Sequence, residues 1–131
     1  MLSSEYLAGY IDGEGSIDFV YNAQAYRTQI QISSVYPGVL NELGEQYGGG
    51  VYARGFERGP HRQSYHWALT GPRAVRLLEE VLPYLREKKP QAELVLALTQ
   101  KLPGRRGYTP ELVDEFESGR VELKRLKRMK Y

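Results

Sequence analysis

Residues 7–15 read Leu-Ala-Gly-Tyr-Ile-Asp-Gly-Glu-Gly, and two carboxylates, Asp12 and Glu14, alternate there with Gly13 and Gly15. The residues before them, from a Ser3 or Ser4 cap through Glu5, have the form of a helix over 4–14. Both acids then fall in its last turn, where the macrodipole is negative and each carboxylate is disfavoured by roughly 0.3–1 kcal/mol. A cation seated at that end would remove the penalty, and an all-oxygen donor set selects Mg²⁺ or Mn²⁺. The same letters fit a helix that stops at its glycines with solvated acids, so residue types alone keep both readings open. Gly9 and Gly13 lie one turn apart with Ala8 beside them. Each interior glycine costs about 1 kcal/mol against alanine, and small residues at this spacing let a second helix backbone come close.

A second set of groups alternates along extended segments. In SIDFVYN, Ile17, Phe19 and Tyr21 alternate with Ser16, Asp18, Val20 and Asn22; in AQAYRTQIQIS, Tyr26, Thr28, Ile30 and Ile32 alternate with Ala25, Arg27, Gln29 and Gln31. Residues 23–25 fit a hairpin connection. VYARGFE and QSYHWALT make a second hairpin through the turn-rich RGPHR, with Tyr65, Trp67 and Leu69 inward and Ser64, His66 and Thr70 outward. The polar faces carry Arg27, Gln29, Gln31, Arg54 and His66, groups that bond to base edges; ordinary solvent exposure gives the same pattern.

Helices must position these strands. Val39, Leu40, Leu43 and Tyr47 give a short helix from Pro37 to the Gly48-Gly49-Gly50 stop. From Pro72 the period is helical through Val75, Leu78, Val81 and Leu82, then Leu94, Val95, Leu98 and Leu102. Pro110 opens a last basic helix over about 110–131. The order helix, hairpin, helix, hairpin, helices predicts an α+β fold: a four-stranded antiparallel sheet with helices packed on one face.

The chain of 131 residues has the length of a single domain, and its composition (41% hydrophobic, 26% charged) is globular. It has no cysteine, which removes disulfides and thiolate chemistry, and its two histidines argue against a zinc enzyme. No apolar run is long enough to cross a bilayer, and the start lacks a basic leader. A protein that is not secreted is expected, cytoplasmic or organellar. The net charge of +2 conceals an asymmetry: residues 1–20 hold four acids and no Lys or Arg, and residues 101–131 hold nine basic against five acidic side chains. An anionic partner or plain solvated surface accounts for that equally.

Leu7–Gly15 resembles the motif of the LAGLIDADG homing endonucleases, matching six of its nine letters. Gly13 and Glu14 are changes common in that family; Tyr10 is less usual. Residues 83–96, Pro-Tyr-Leu-Arg-Glu-Lys-Lys-Pro-Gln-Ala-Glu-Leu-Val-Leu, are similar to a segment of its single-motif, homodimeric, I-CreI-like branch, and the resemblance runs from about residue 4 to 103.

The resemblance implies that Glu14 binds a divalent metal at the scissile phosphates, with the Gly13 carbonyl as a second ligand. Lys88 matches the basic residue of the active-site water network. Ser34 falls where a longer polar residue, often Gln, orders water, and a further arginine of the branch has no counterpart near Pro37-Gly38. DNA contacts are implied for Asp18, Asn22, Arg27, Gln29, Gln31, Tyr52, Arg54, Ser64 and His66, and a dimer interface for Ala8, Gly9, Asp12 and Gly13. The expected activity is an intron-homing, intron-encoded type of DNA endonuclease. It would use Mg²⁺, with Mn²⁺ able to substitute, to make a double-strand break in a long, roughly palindromic site as a homodimer. The alternative is a maturase acting on intron RNA, or a relic that binds DNA without cutting.

Overall fold

The computed structural model describes residues 1–55 and 63–129. Helix α1 (Ser4–Glu14) runs directly into β1 (Gly15–Asn22), which turns into β2 (Ala25–Ser34); α2 (Pro37–Tyr47), β3 (Val51–Arg54), β4 (Ser64–Thr70), α3 (Pro72–Val81), α4 (Lys89–Thr99) and α5 (Pro110–Arg128) follow. The expected α+β order is present. The continuous helical period after Pro72 is divided, because Pro83 sits in a short 3₁₀ turn, Leu82–Tyr84, and Pro90 opens α4. On the first arm of the second hairpin β3 stops at Arg54; Phe56, Glu57 and the RGPHR connection lie in residues 56–62, outside the described residues. The last helix ends at Arg128 rather than 131.

Local chemistry sets the boundaries. The Ser3 hydroxyl accepts the Tyr6 N–H at 3.1 Å to begin α1, and Thr109 does the same for Leu112 of α5 at 3.1 Å. The β1–β2 turn uses Ala23 and Gln24, both at positive φ (52° and 62°). This matches the right-handed twist of the strands at the cost of strain in two residues with Cβ atoms. Gly15 joins α1 to β1 with no loop; a Cβ there would sit 3.1 Å from the Ile11 backbone, so glycine lets the helix become a strand in one step without crowding that turn.

The sheet is antiparallel in the order β1-β2-β4-β3. Ile17, Phe19, Tyr26, Thr28, Ile30, Ile32, Trp67 and Leu69 are buried on one face, where they join Leu7, Ile11, Leu40, Leu43, Leu77, Leu78, Val81, Val95 and Leu98 in a common core. Helix α5 closes it at the β1–β2 hairpin: Phe116 packs edge-on to Phe19 at 5.3 Å between ring centroids and against Tyr26 at 4.9 Å. Gly119 lets α5 meet α4, since a Cβ would come within 2.7 Å of the Leu98 methyls. Two polar side chains drawn into this core, Thr28 and Tyr26, are partnered. The Thr28 and Thr99 hydroxyls meet at 2.5 Å, and the Tyr26 hydroxyl donates to Glu117 Oε2 at 2.6 Å. Burial and that carboxylate push the Tyr26 phenol up to about 12.

Candidate active site and nucleic-acid interface

Asp12, at the end of α1, is a clamp. Its Oδ2 accepts the Arg86 N–H at 2.8 Å and its Oδ1 the Lys88 N–H at 2.9 Å. In return the Lys88 ammonium donates to the Asp12 main-chain carbonyl at 2.5 Å. A positive group therefore does sit at the negative end of α1, and it is the chain's own lysine, brought there by the segment between α3 and α4. The Asp12 charge is met by backbone N–H groups.

Glu14 is different. It is exposed and makes no hydrogen bond or ion pair among the described residues; it lines a cleft of about 350 Å³ with Ser33, Ser34, Tyr36 and Ser64. Lys88 and Gly15 line a neighbouring cleft with Ser16, Gln91 and Lys127. No three His, Cys, Asp or Glu side chains group as a metal cage among the described residues. A Mg²⁺ ion asks less than a cage: one or two carboxylates, with waters and substrate phosphate oxygens for the rest. The free Glu14 carboxylate and the Gly13 carbonyl, one of the end-of-helix carbonyls with no intrahelical partner, fit that demand.

The register puts every expected sheet contact on the face opposite the core. Across β1, β2 and β4, Asp18 stands beside Gln29 and Thr70, and Ser16 beside Gln31 and Ala68. Across β2, β4 and β3, Ser33 stands beside His66 and Tyr52, and Ser64 beside Arg54. Arg27 and Asn22 continue the face toward the hairpin end, where Arg27 Nη1 donates to the Asn22 carbonyl at 2.6 Å. Gln31 Nε2 donates to Gln29 Oε1 at 2.9 Å, so the two amides stand as one unit with an acceptor free on Gln31 and a donor on Gln29.

Several expected residues are placed differently. Ala8 is fully buried in its own core and offers nothing to a second chain, because helical spacing sets it beside Leu7 and Ile11. Asp12 is occupied within its own chain, as above. The open positions on α1 are Gly9 and Gly13, where a Cβ would meet nothing within 4 Å. His66 points to the polar face but is only 5% exposed; Tyr52 packs on it at 5.3 Å and Ser33 Oγ lies 2.8 Å from its Nδ1. Burial first, and the Arg54 charge second, hold its imidazole below the ordinary value. Asp18 is ion-paired with Lys127. Ser34 Oγ accepts the Tyr36 N–H at 3.0 Å, and the strand period puts Ser34 on the core side of β2. Ser33 is the serine on the polar face, a position readable from the alternation of Gln29 and Gln31.

No protein-family model and no curated protein sequence matches the chain. Solved structures do. The homing endonuclease I-CvuI, in complex with its target in the presence of Ca, is 24% identical over 97% of this chain and 83% of its own, with a TM-score of 0.75. An archaeal intron-encoded homing endonuclease complexed with DNA is 16% identical over 98% of this chain and 86% of its own, with a TM-score of 0.72. The LAGLIDADG meganuclease I-AabMI, bound to uncleaved DNA, is 15% identical over 91% of this chain but 44% of its own, with a TM-score of 0.65. The fold is that of the LAGLIDADG homing endonucleases.

On this LAGLIDADG fold, two residues that sequence reading left without a role stand at the Lys88 cleft. Lys127 arrives from α5, and its position depends on how that helix packs. Gln91, in the first turn of α4, is buried with its Oε1 unpartnered among the described residues.

Proposed function

We propose that the protein is a divalent-metal-dependent, sequence-specific DNA endonuclease that acts as a homodimer. The observation that carries this is the end of α1: a carboxylate, Glu14, with no hydrogen bond or ion pair among the described residues, and an ammonium, Lys88, fixed on the same helix terminus, where the sheet's polar face begins. In this reading Glu14 and the Gly13 carbonyl hold Mg²⁺, with Mn²⁺ able to substitute, and the ion supplies charge neutralisation and water activation at a phosphodiester. Lys88 places positive charge near the developing negative charge, where a preorganised cation contributes most. Asp12 keeps that lysine from wandering. Gln29, Gln31, Arg27, Asn22, Tyr52, Arg54 and Ser64 read or grip a major groove, and Ser33 with His66 completes the surface beside Glu14.

One chain carries one such helix end, and cutting both strands calls for two. The exposed positions Tyr6, Gly9 and Gly13 on α1, with the half-buried Tyr10 stacked on Tyr6, are where a second copy would pack. Such an isologous pair sets a two-fold symmetry on the target, which is then a nearly palindromic site. That the chain spans 44% of I-AabMI agrees with a unit used twice. The experiment is selection of cleaved sites from a randomised duplex library, with Mg²⁺ and with EDTA. Enrichment of a palindromic site only with the metal supports the reading. Selective retention of a duplex that is never cut would replace it with a DNA-binding relic, and retention of structured RNA alone with a maturase.

A further inference from the structure

The β1–β2 hairpin reaches past the rest of the sheet. The pairing of β2 with β4 ends where Gln29 stands beside Thr70, and the Gly71 N–H closes that edge on the Thr28 carbonyl at 2.9 Å. Main-chain groups return to one edge of a strand at every second residue, so the next N–H on that edge is Tyr26. It falls beyond β4, and the Tyr108 hydroxyl, from the segment leading into α5, accepts it at 2.9 Å. The phenol of the same residue donates to Glu117 Oε2 of α5 at 2.6 Å, and Arg120 Nη1 in turn holds Glu117 at 3.0 Å. Tyr26 is gripped at its main chain and at the end of its ring.

On the opposite face, the next residue is Arg27, whose Nη1 donates to the Asn22 carbonyl across the strand pair at 2.6 Å. The stacking of Tyr26 on Phe19 and Phe116 keeps the hairpin on the core, but the burial behind it is non-directional. A cleft of about 400 Å³, with Tyr21, Val113 and Arg120 in its lining, opens between hairpin and helix beside the two hydrogen bonds. The hairpin therefore has room to tilt when they are lost. From Thr28 to Gln24 the strand spans roughly 13 Å, and a tilt of about 5° would carry its tip about 1 Å. A hydrogen bond to a base edge holds over a range of only about 0.5 Å.

We infer that Tyr108 and Glu117 are positioning residues for DNA recognition: acting through Tyr26, they fix the angle at which the hairpin presents Asn22 and Arg27 to the bases. The inference rests on the DNA endonuclease reading and deepens it. The base pairs farthest from the Glu14 end of the sheet are then chosen with the help of two residues that stand behind the reading face.

Site selection from a randomised duplex library is the test. Positions that lose preference in Arg27→Ala belong to the hairpin end, and those that lose it in Gln31→Ala to the inner sheet. The same selection is run on Tyr108→Phe, Tyr26→Phe and their double variant, each lacking only hydroxyls. Tyr47→Phe is the control: it removes the Tyr47 hydroxyl bond to Glu80 between α2 and α3, the same chemical change far from the hairpin along the chain. Melting temperatures are measured for all. A good base contact discriminates by roughly 5- to 150-fold, and the double variant should lose most of this at the Arg27 positions while keeping it at the Gln31 positions. The single variants should show the same pattern in smaller measure, and Tyr47→Phe should keep both sets despite a comparable fall in melting temperature. Wild-type preference at the Arg27 positions in the double variant would overturn the inference. So would equal losses at both sets, the same pattern from Tyr47→Phe, or an Arg27→Ala variant that loses no preference at all. A wild type that enriches no duplex would remove the endonuclease reading itself, an outcome visible before any variant is compared.

Discussion

Asp12 and Lys88 hold each other reciprocally: the Asp12 carboxylate accepts the Lys88 N–H at 2.9 Å, and the Lys88 ammonium donates to the Asp12 carbonyl at 2.5 Å. An acid inside a motif helix and a lysine 76 positions later are thus one unit, and the acid acts through the lysine's position.

Asp12→Asn tests that unit. The amide keeps one acceptor but turns an N–H toward a backbone N–H, so it should destabilise the fold by about 1–3 kcal/mol. It should also slow DNA cleavage, because Lys88 loses its anchor. Denaturant unfolding and single-turnover cleavage are the measurements; unchanged stability would show that the clamp is not formed in solution.

Glu14→Gln should behave in the opposite way. Glu14 makes no hydrogen bond or ion pair among the described residues, and removing a negative charge from the end of α1 relieves the macrodipole by roughly 0.3–1 kcal/mol. The variant should unfold no earlier than the wild type, bind duplex DNA equally well, and fail to cut. Cutting at the wild-type rate would exclude Glu14 as the metal ligand.

Gly9→Leu separates assembly from folding. The added side chain meets open space in the single chain, so the monomer should keep its melting temperature to within the small helix-propensity gain. Sedimentation should show the variant as a 15.0 kDa monomer where the wild type sediments as a pair, with cleavage lost. A wild type that cuts while sedimenting as a monomer would overturn the dimer.

His66 should make the fold acid-sensitive. Its folded value lies below the ordinary one, whereas the unfolded chain takes up the proton near pH 6.5. The unfolded state therefore binds more protons in that range. The His66 contribution is complete above about pH 6.5 and is lost as the pH falls toward the lower folded value. Melting temperature against pH should fall more steeply below 6.5 in the wild type than in His66→Gln. Parallel curves would show that the imidazole is not desolvated. Glu117, held low by the Tyr26 hydroxyl and then by Arg120, adds its own loss only in the carboxylate range.

Much of this was legible in the letters. Two-residue alternation in 15–34 and 64–70 assigned the strands and both their faces, and Ser3, Pro37, Pro72 and Pro110 marked the helix starts. What the letters hide is pairing across the chain. Ala8 looks like part of a small-residue stripe, yet the helix turns it to the core. The Asp12 carboxylate looks free, yet it is consumed by N–H groups of residues 86 and 88. Ser34 is expected at the site by position along the chain and does line the Glu14 cleft, but the letters do not announce that Ser33, one step away on the polar face, lines it too. Lys127 is one of six basic residues in the last twelve, and only the packing of Phe116 and Gly119 decides which of them reaches β1.

The strand β2 divides its letters between two tasks. Tyr26, Thr28, Ile30 and Ile32 are buried and belong to the core, and Arg27, Gln29 and Gln31 between them do not. Substitutions at the odd positions therefore leave the folding free energy almost untouched, whatever they do to the surface they present. A lineage of such proteins can drift across that surface without passing through unfolded intermediates, so novelty in recognition is cheap for this architecture. His66 and Ser33, which share a part-buried hydrogen bond on the same face, mark the border where that freedom stops.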